Sequence, residues 1–223
     1  PNKESPLIRN EEITEWGFVP AWLPRSAPCP VDVTHELARA ERHVWLVFCD
    51  SAGLGADCAA RLRDAGHTVF EVRAGDSFLQ TGDMSYTLAP ERGREGYNLL
   101  LASLVQRGIT PDRIAHFWLV TRDEEFRPGS SFFHRNIEQG FYSLLFLAQA
   151  ISEEDLPSPI NITVATSGAV QVRDEALLYP EKAIVAGPTR VIPRELPGVT
   201  CRTIDLKLPS TQRGWRRGKG EQD

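Results

Sequence analysis

The 223-residue sequence has no apolar run approaching the roughly 20 residues a membrane-spanning helix requires, and no signal-peptide pattern opens it. A cytoplasmic protein with no membrane partner is therefore expected. Basic charge is also short. Lys and Arg number 25 against 30 Asp and Glu, a net charge of −5, and this argues against nucleic acid because phosphate backbones need a basic surface. Cysteine is sparse as well: Cys29, Cys49, Cys58 and Cys201 stand without metal-ligand spacing, three of them in apolar contexts. Buried free thiols in a reducing compartment are expected. His35, His43, His67, His116 and His134 show no metal spacing either, and His116 lies within an apolar run where a hydrogen-bonded core histidine is expected. With no Gly-x-Ser-x-Gly elbow, no Gly-Lys-Ser/Thr phosphate loop and no metal site, three common kinds of catalytic centre are excluded.

What is present is a core and an alternation of elements. A chain of this length with 41% hydrophobic and 25% charged residues can bury one full domain, with a small extension at most. "HVWLVFCD" (His43 to Asp50) is a short β-branched and aromatic run of the length of a strand buried on both faces. After it, Leu54, Cys58, Ala59, Leu62 and Ala65 recur at helical spacing, Gly66 stands at the C-cap, and "HTVFEV" resumes strand character. Arg94 to Arg107 forms an amphipathic helix with Tyr97, Leu100, Leu101, Leu104 and Val105 on one side. "FFHRNIEQGFYSLLFLAQAI" forms a longer apolar helix. "RIAHFWLV", "INITVAT" and "VTCRTIDL" are strands, and a last helix starts near Tyr179 or Pro180, shortened or kinked by Gly187, Pro188 and Pro193. Strands separated by single helices imply parallel pairing with right-handed crossovers. The expected fold is α/β, a truncated Rossmann-like three-layer sandwich with a mainly parallel sheet, spanning residues 31–208.

The ends differ from the middle. Residues 1–30 include "WGFVPAWLPRSAPCP", with two tryptophans, a phenylalanine and four prolines, which suits an arm or edge strand laid on a surface. Residues 209–223, "PSTQRGWRRGKGEQD", read as a flexible basic tail. Asp123, Glu124 and Glu125 read as a solvated loop.

The stretch "FCDSAGLGADC" carries the chemical question. A phosphate cradle needs one glycine for the turn, one for close backbone approach and one for helix-strand packing. Gly53 and Gly55 can supply the later two, but the turn position falls near Cys49, and Asp50 aims a carboxylate where phosphate would lie. The loop either binds a dinucleotide poorly or is a turn that kept its fold and lost its ligand. The order of elements resembles the short-chain dehydrogenase/reductase family, which reduces carbonyls with Ser, Tyr and Lys, assisted by Asn. Asn136 and Ser167 fall at the Asn and Ser positions, and "YPEKA" supplies Tyr179 and Lys182. In that family Tyr and Lys stand four apart on one helix face; here they are three apart, with Pro180 placing Tyr179 at the N-cap. The plainer reading is that Ser167 ends a strand, Tyr179 packs, and Lys182 is solvated or pairs with Glu181 or Glu195.

Four segments in order, "FVPAWLPR", "WLVFCDSAGLGADCAARLRDAGHTVFEVRAGDSF", "FYSLLFLAQAI" and "YPEKAIVAGPTRVIPRELPGVTCRTIDL", give a closer match, covering about Trp16 to Leu206. They resemble the structural subdomain of the ketoreductase of modular type I polyketide synthases. The resemblance implies a noncatalytic half that braces a catalytic half. The catalytic half binds NADPH and carries the Ser, Tyr and Lys, and the whole unit reduces β-ketoacyl groups on acyl carrier protein. It further implies neighbouring synthase domains as partners, an enoylreductase or methyltransferase in some contexts, and, as a variant, a pseudo-ketoreductase. A stand-alone NAD(P)-dependent oxidoreductase using Asn136, Ser167, Tyr179 and Lys182 remains the alternative.

Overall fold

The structure, a computed structural model, describes residues 12, 14, 23, 32–122, 132–172 and 176–208. The arm over 1–30, apart from three residues, and the tail over 209–223 lie outside the described residues, as do Cys29 and the run Asp123 to Glu125.

Helix α1 (Val33–Arg39) is capped by Asp32, whose carboxylate accepts the N–H groups of Thr34 and His35. Strand β1 (Val44–Cys49) follows, with Leu46, Val47 and Phe48 fully buried, so both faces of this strand are covered. Helix α2 (Leu54–Asp64) leads to β2 (Thr68–Ala74), a hairpin of β3 (Leu79–Gly82) and β4 (Ser85–Leu88), and α3 (Glu95–Gln106). Next come β5 (Arg113–Leu119), α4 (Phe132–Ile137), a π-helical turn (Glu138–Tyr142), α5 (Ser143–Glu153) and β6 (Ile160–Thr166). A 3₁₀ segment (Pro180–Val185) runs into α6 (Ala186–Glu195), and β7 (Val199–Asp205) completes the described fold.

The strands form one sheet in the order β3-β4-β2-β1-β5-β6-β7, parallel throughout except where β3 meets β4. The order changes direction between β1 and β5, so the C-terminal ends of those strands open the crevice where ligands of this architecture bind. The larger core joins Leu46, Phe48 and Phe70 of the sheet to Leu100 and Leu104 of α3, Leu144 and Leu147 of α5 and Ile192 of α6. The smaller core, on the opposite face, joins Val47, Val69 and Ala115 to Ala59 and Leu62 of α2. Each fully buried aliphatic side chain stabilises the fold by roughly 1.5–3 kcal/mol. Three layers result, and α2 is the main helix of the thinner one.

Three features differ from the sequence reading. The hairpin β3–β4 went unread: β3 is exposed along its whole length, and β4 alternates between half-buried and buried residues over only four positions. The long apolar helix is broken by the π-helical turn, which inserts one residue and rotates α5 relative to α4. The last helix starts at Pro180 as expected but begins in the tighter 3₁₀ form. No helix among the described residues is long and apolar enough to cross a membrane, and no group of three or more His, Cys, Asp or Glu among them could hold a metal.

His116 is the core histidine the sequence implied. It is fully buried, stacks on Phe48 at 4.9 Å between ring centroids, and shares a 2.8 Å hydrogen bond through Nε2 with Ser143 Oγ. Burial disfavours the imidazolium and pushes its pKa down to about 3. The unfolded chain, titrating near pH 6.5, binds the proton first. The resulting stability is therefore complete above about pH 6.5 and is lost progressively as pH falls toward about 3. Urea midpoints measured at pH 7 and pH 4.5 should fall further for the native chain than for His116→Phe; equal falls would remove His116 from the acid sensitivity.

Candidate functional site

Between β1 and α2 the chain makes the turn that a dinucleotide would need. Gly53 is the N-cap of α2, in the left-handed region at φ +94° that glycine adopts without strain. Gly55 answers a different need: a Cβ there would stand 2.9 Å from Cys49 Cα and 3.0 Å from Asp50 Oδ1, so helix and strand meet at backbone distance. Both glycines thus do what the later glycines of a phosphate loop do. The N–H groups they bring forward already have an acceptor. Gly55 donates to Asp50 Oδ1 at 2.6 Å and Leu54 donates to Asp50 Oδ2 at 3.2 Å. Asp50 is 4% exposed, and its carboxylate takes the place of the anion that a helix N-terminus attracts. The loop does not fit a pyrophosphate.

Next to this turn Cys49 is buried, its Sγ 3.6 Å from Glu71 Oε2, and burial followed by the nearby Glu71 charge pushes the thiol up to about 12. Glu71 in turn accepts from Arg63 at 2.6 Å. Burial likewise raises Cys201 to about 12 and moves Cys58 upward. In all three, burial disfavours the thiolate that nucleophilic chemistry requires. A cavity of about 270 Å³ remains at the strand ends, lined by Asp50, Arg73, Trp118, Thr121, Arg135 and Gln139, among others. That is below the roughly 300–1,000 Å³ usual for ligand pockets.

Ser167, Tyr179 and Lys182 do come together, but around the amine rather than around an open space. Ser167 follows β6, is 6% exposed, and accepts from the Thr121 N–H at 3.0 Å through its hydroxyl. Tyr179 is the N-cap of the 3₁₀ segment, as its proline suggested; its N–H donates to Gly168 O at 2.9 Å, and its ring meets Phe132 edge-on at 5.6 Å. Lys182 corrects the sequence reading in one respect: it is not solvated. It is fully buried and donates from Nζ to Thr121 Oγ1 and, at 3.2 Å, to Ser167 O. Its ammonium lies 4.2 Å from the Tyr179 ring centroid, against the π face, a cation–π arrangement unlike the side-by-side display that i, i+4 spacing would give. Asn136, also fully buried, donates to Glu181 Oε1 at 2.8 Å. Of these residues Thr121 lines the cavity, and it links the cluster to the crevice through the hydroxyl that accepts from Lys182.

Two functional contributors were not read from sequence. Thr121 escapes because nothing local marks a threonine after a strand. Asp205, at the end of β7, accepts from Thr166 Oγ1 at 2.7 Å and from the Ala169 N–H at 3.1 Å, anchoring the loop that carries Ser167. An Asp closing a strand beside a Gly-containing loop was the available signal.

Comparison with known proteins follows this geometry. Residues 46–214 match the family model described as beta-ketoacyl synthase-like, N-terminal. Among solved structures, a multidomain structure of adenylation, ketoreductase and pseudo Asub domains from a keto acid-selecting NRPS module is 25% identical, with a TM-score of 0.71 over 88% of this chain and 15% of that one. An N-terminal ketoreductase from a macrolactin assembly line is 20% identical, with a TM-score of 0.61 over 74% of this chain and 32% of that one. A short-chain dehydrogenase/reductase-family oxidoreductase from Brucella ovis, in complex with partially ordered NAD, is 16% identical at a TM-score of 0.56 over 74% and 83%. The chain thus spans well under half the length of the first two. Curated protein sequences gave no match.

If Asp50 stands in for a ligand, removing it leaves the buried Gly55 N–H and the half-buried Leu54 N–H without that acceptor. Asp50→Ala should lower stability by about 1–2 kcal/mol, the usual cost of a lost N-cap, read as a drop in the urea midpoint at constant slope. An unchanged midpoint would refute the capping role.

Proposed function

The chain belongs to the beta-ketoacyl synthase-like, N-terminal family, and from that premise we propose that it is the noncatalytic structural half of a ketoreductase, acting in the cytoplasm within a polyketide synthase module. Residues 31–208 form the subdomain, flanked by an arm over 1–30 and a tail over 209–223. It braces a companion half that holds NADPH and reduces β-ketoacyl groups carried on acyl carrier protein, or it serves a pseudo-ketoreductase in the same place.

The observation that carries this reading is Asp50. Its carboxylate satisfies the first N–H groups of α2, so the chain keeps the shape of a dinucleotide loop with its anion position filled from within. The family's link to β-ketoacyl chemistry and the likeness to two ketoreductases support the context. The contact of Ser167 with Lys182 is what favours a stand-alone oxidoreductase. It carries less weight, because the buried lysine donates to Thr121 Oγ1 and to the Ser167 carbonyl at the strand ends, and a site displaced by even 1 Å loses on the order of 100-fold in rate.

Titrating the purified chain with NADPH while following nucleotide fluorescence should give no saturable binding, and Cys49→Gly alone should not restore it because Asp50 remains. A dissociation constant in the low micromolar range would overturn the reading. In the complete module, Tyr179→Phe should leave ketoreduction within a few-fold of normal, whereas losing a general acid costs roughly 100- to 10,000-fold. A loss of that size would restore Tyr179 to catalysis.

A further inference from the structure

The crevice at the ends of β1 and β5 is small, but its lining is far from neutral. Arg73, near the end of β2, and Arg135, on α4, both line it, in a chain whose net charge is −5. Among the described residues Asp50 is the one carboxylate in that lining. Both of its oxygens are engaged by the N–H groups of Gly55 and Leu54, and the positive end of α2 offsets its charge. Two further cations stand just behind. Arg63 bonds Glu71, the carboxylate that also takes Arg73, and Lys182 donates to Thr121.

The polar groups between these charges are donors in search of an acceptor. The Thr121 oxygen receives the Lys182 ammonium, so its single hydrogen must go to another group, and no described residue accepts it. An ammonium on that oxygen also polarises the O–H into a stronger donor. Trp118 adds a wall that is 3% exposed, and its buried indole N–H has no acceptor either. Arg135 and Gln139 stand four apart and so share one helix face where α4 enters the π-helical turn, a departure from regular helix that is frequent at functional sites. Guanidinium groups take carboxylate or phosphate through paired hydrogen bonds. A space of about 270 Å³, short of the roughly 300–1,000 Å³ of ordinary ligand pockets, restricts the guest to a compact one.

We propose that the crevice binds a compact dianion, a phosphate group or a short dicarboxylate, held by Arg73 from β2 and Arg135 from α4, with the Thr121 hydroxyl and the Gln139 amide donating to it. The proposal rests on the reading that the β1–α2 turn holds no pyrophosphate; it does not need the bracing role. Asp50 fills the anion position at the helix N-terminus, and the two arginines create a second one beside it that a dinucleotide does not reach through that turn.

The test titrates the purified chain with inorganic phosphate and, separately, with succinate, by calorimetry at an ionic strength held constant with potassium chloride. At least one of the two should saturate at one site per chain with a dissociation constant at or below about 1 mM, which identifies the anion, and the same anion should raise the melting temperature. Arg73→Gln and Arg135→Gln should each weaken binding by at least about tenfold, the scale of a charge-assisted hydrogen bond. Arg61→Gln, exposed on α2, should leave it unchanged. Circular dichroism separates loss of binding from loss of folding; both arginines are exposed, and Arg63 keeps hold of Glu71 when Arg73 is replaced. If neither anion saturates and NADPH also fails to bind, the anion site is overturned and the reading of Asp50 stands. Saturation that survives both arginine variants, or that Arg61→Gln removes equally, would reduce the effect to charge screening and overturn the site. NADPH that binds more tightly than either anion, through the same arginines, would overturn the anion site and the reading of Asp50 together.

Discussion

The first N–H groups of a helix have no acceptor within it, and when a strand feeds such a helix through a tight turn at the top of a sheet, those groups face a common point. Something must accept them. In a nucleotide-binding protein it is a phosphate; in this chain it is the carboxylate of Asp50, held at 2.6 Å by Gly55. The choice constrains everything near it. Gly55 must be glycine because the carboxylate and Cys49 Cα fill the space a Cβ would need. Cys49 can stand at the turn because no ligand requires the room. Glu71, beside the thiol, is held by Arg63 and Arg73. The crevice that remains is what is left after one end of it has been filled from within.

The same replacement runs through the second cluster. Lys182 lies inside, where Thr121 after β5 and Ser167 after β6 receive its ammonium and the Tyr179 ring covers it. Burying an ammonium is costly unless hydrogen bonds and a π face offset the lost hydration. Here the offset ties together the ends of two neighbouring strands, while Asp205 fastens the intervening loop to β7.

How much of this was legible depends on the range of the interaction. Periodicity marks helices and buried strands locally, and β1, α2, α3, β5, β6 and β7 follow it to within a residue or two. Pro180 after Tyr179 correctly implied an N-cap. Features set by distant partners were not legible. The β3–β4 hairpin is too short and too exposed for its pattern to stand out, and one inserted residue in a π-helical turn leaves the apolar run unbroken. Lys182 was read from its neighbours in sequence, Glu181 and Glu195, when its partners lie 61 and 15 residues away. Asp50 was recognised as hostile to phosphate, but that it serves as the anion itself depends on the direction in which the turn returns the N–H groups of α2.

Filling the site from within also changes what stability depends on. A protein that binds nucleotide is stabilised in proportion to the logarithm of nucleotide concentration over its dissociation constant, and it loosens when the ligand leaves. A domain whose helix N-terminus is capped by its own Asp50, and whose buried lysine is met by its own strand ends, draws that part of its stability from its own side chains. For a brace this matters. The partner proposed above gains and loses NADPH at every turnover, and a support with the same appetite for nucleotide would soften as the partner emptied. With the anion position filled by Asp50, the helix N-terminus above the smaller core and the large core on the α3, α5 and α6 side are both held by the chain's own groups.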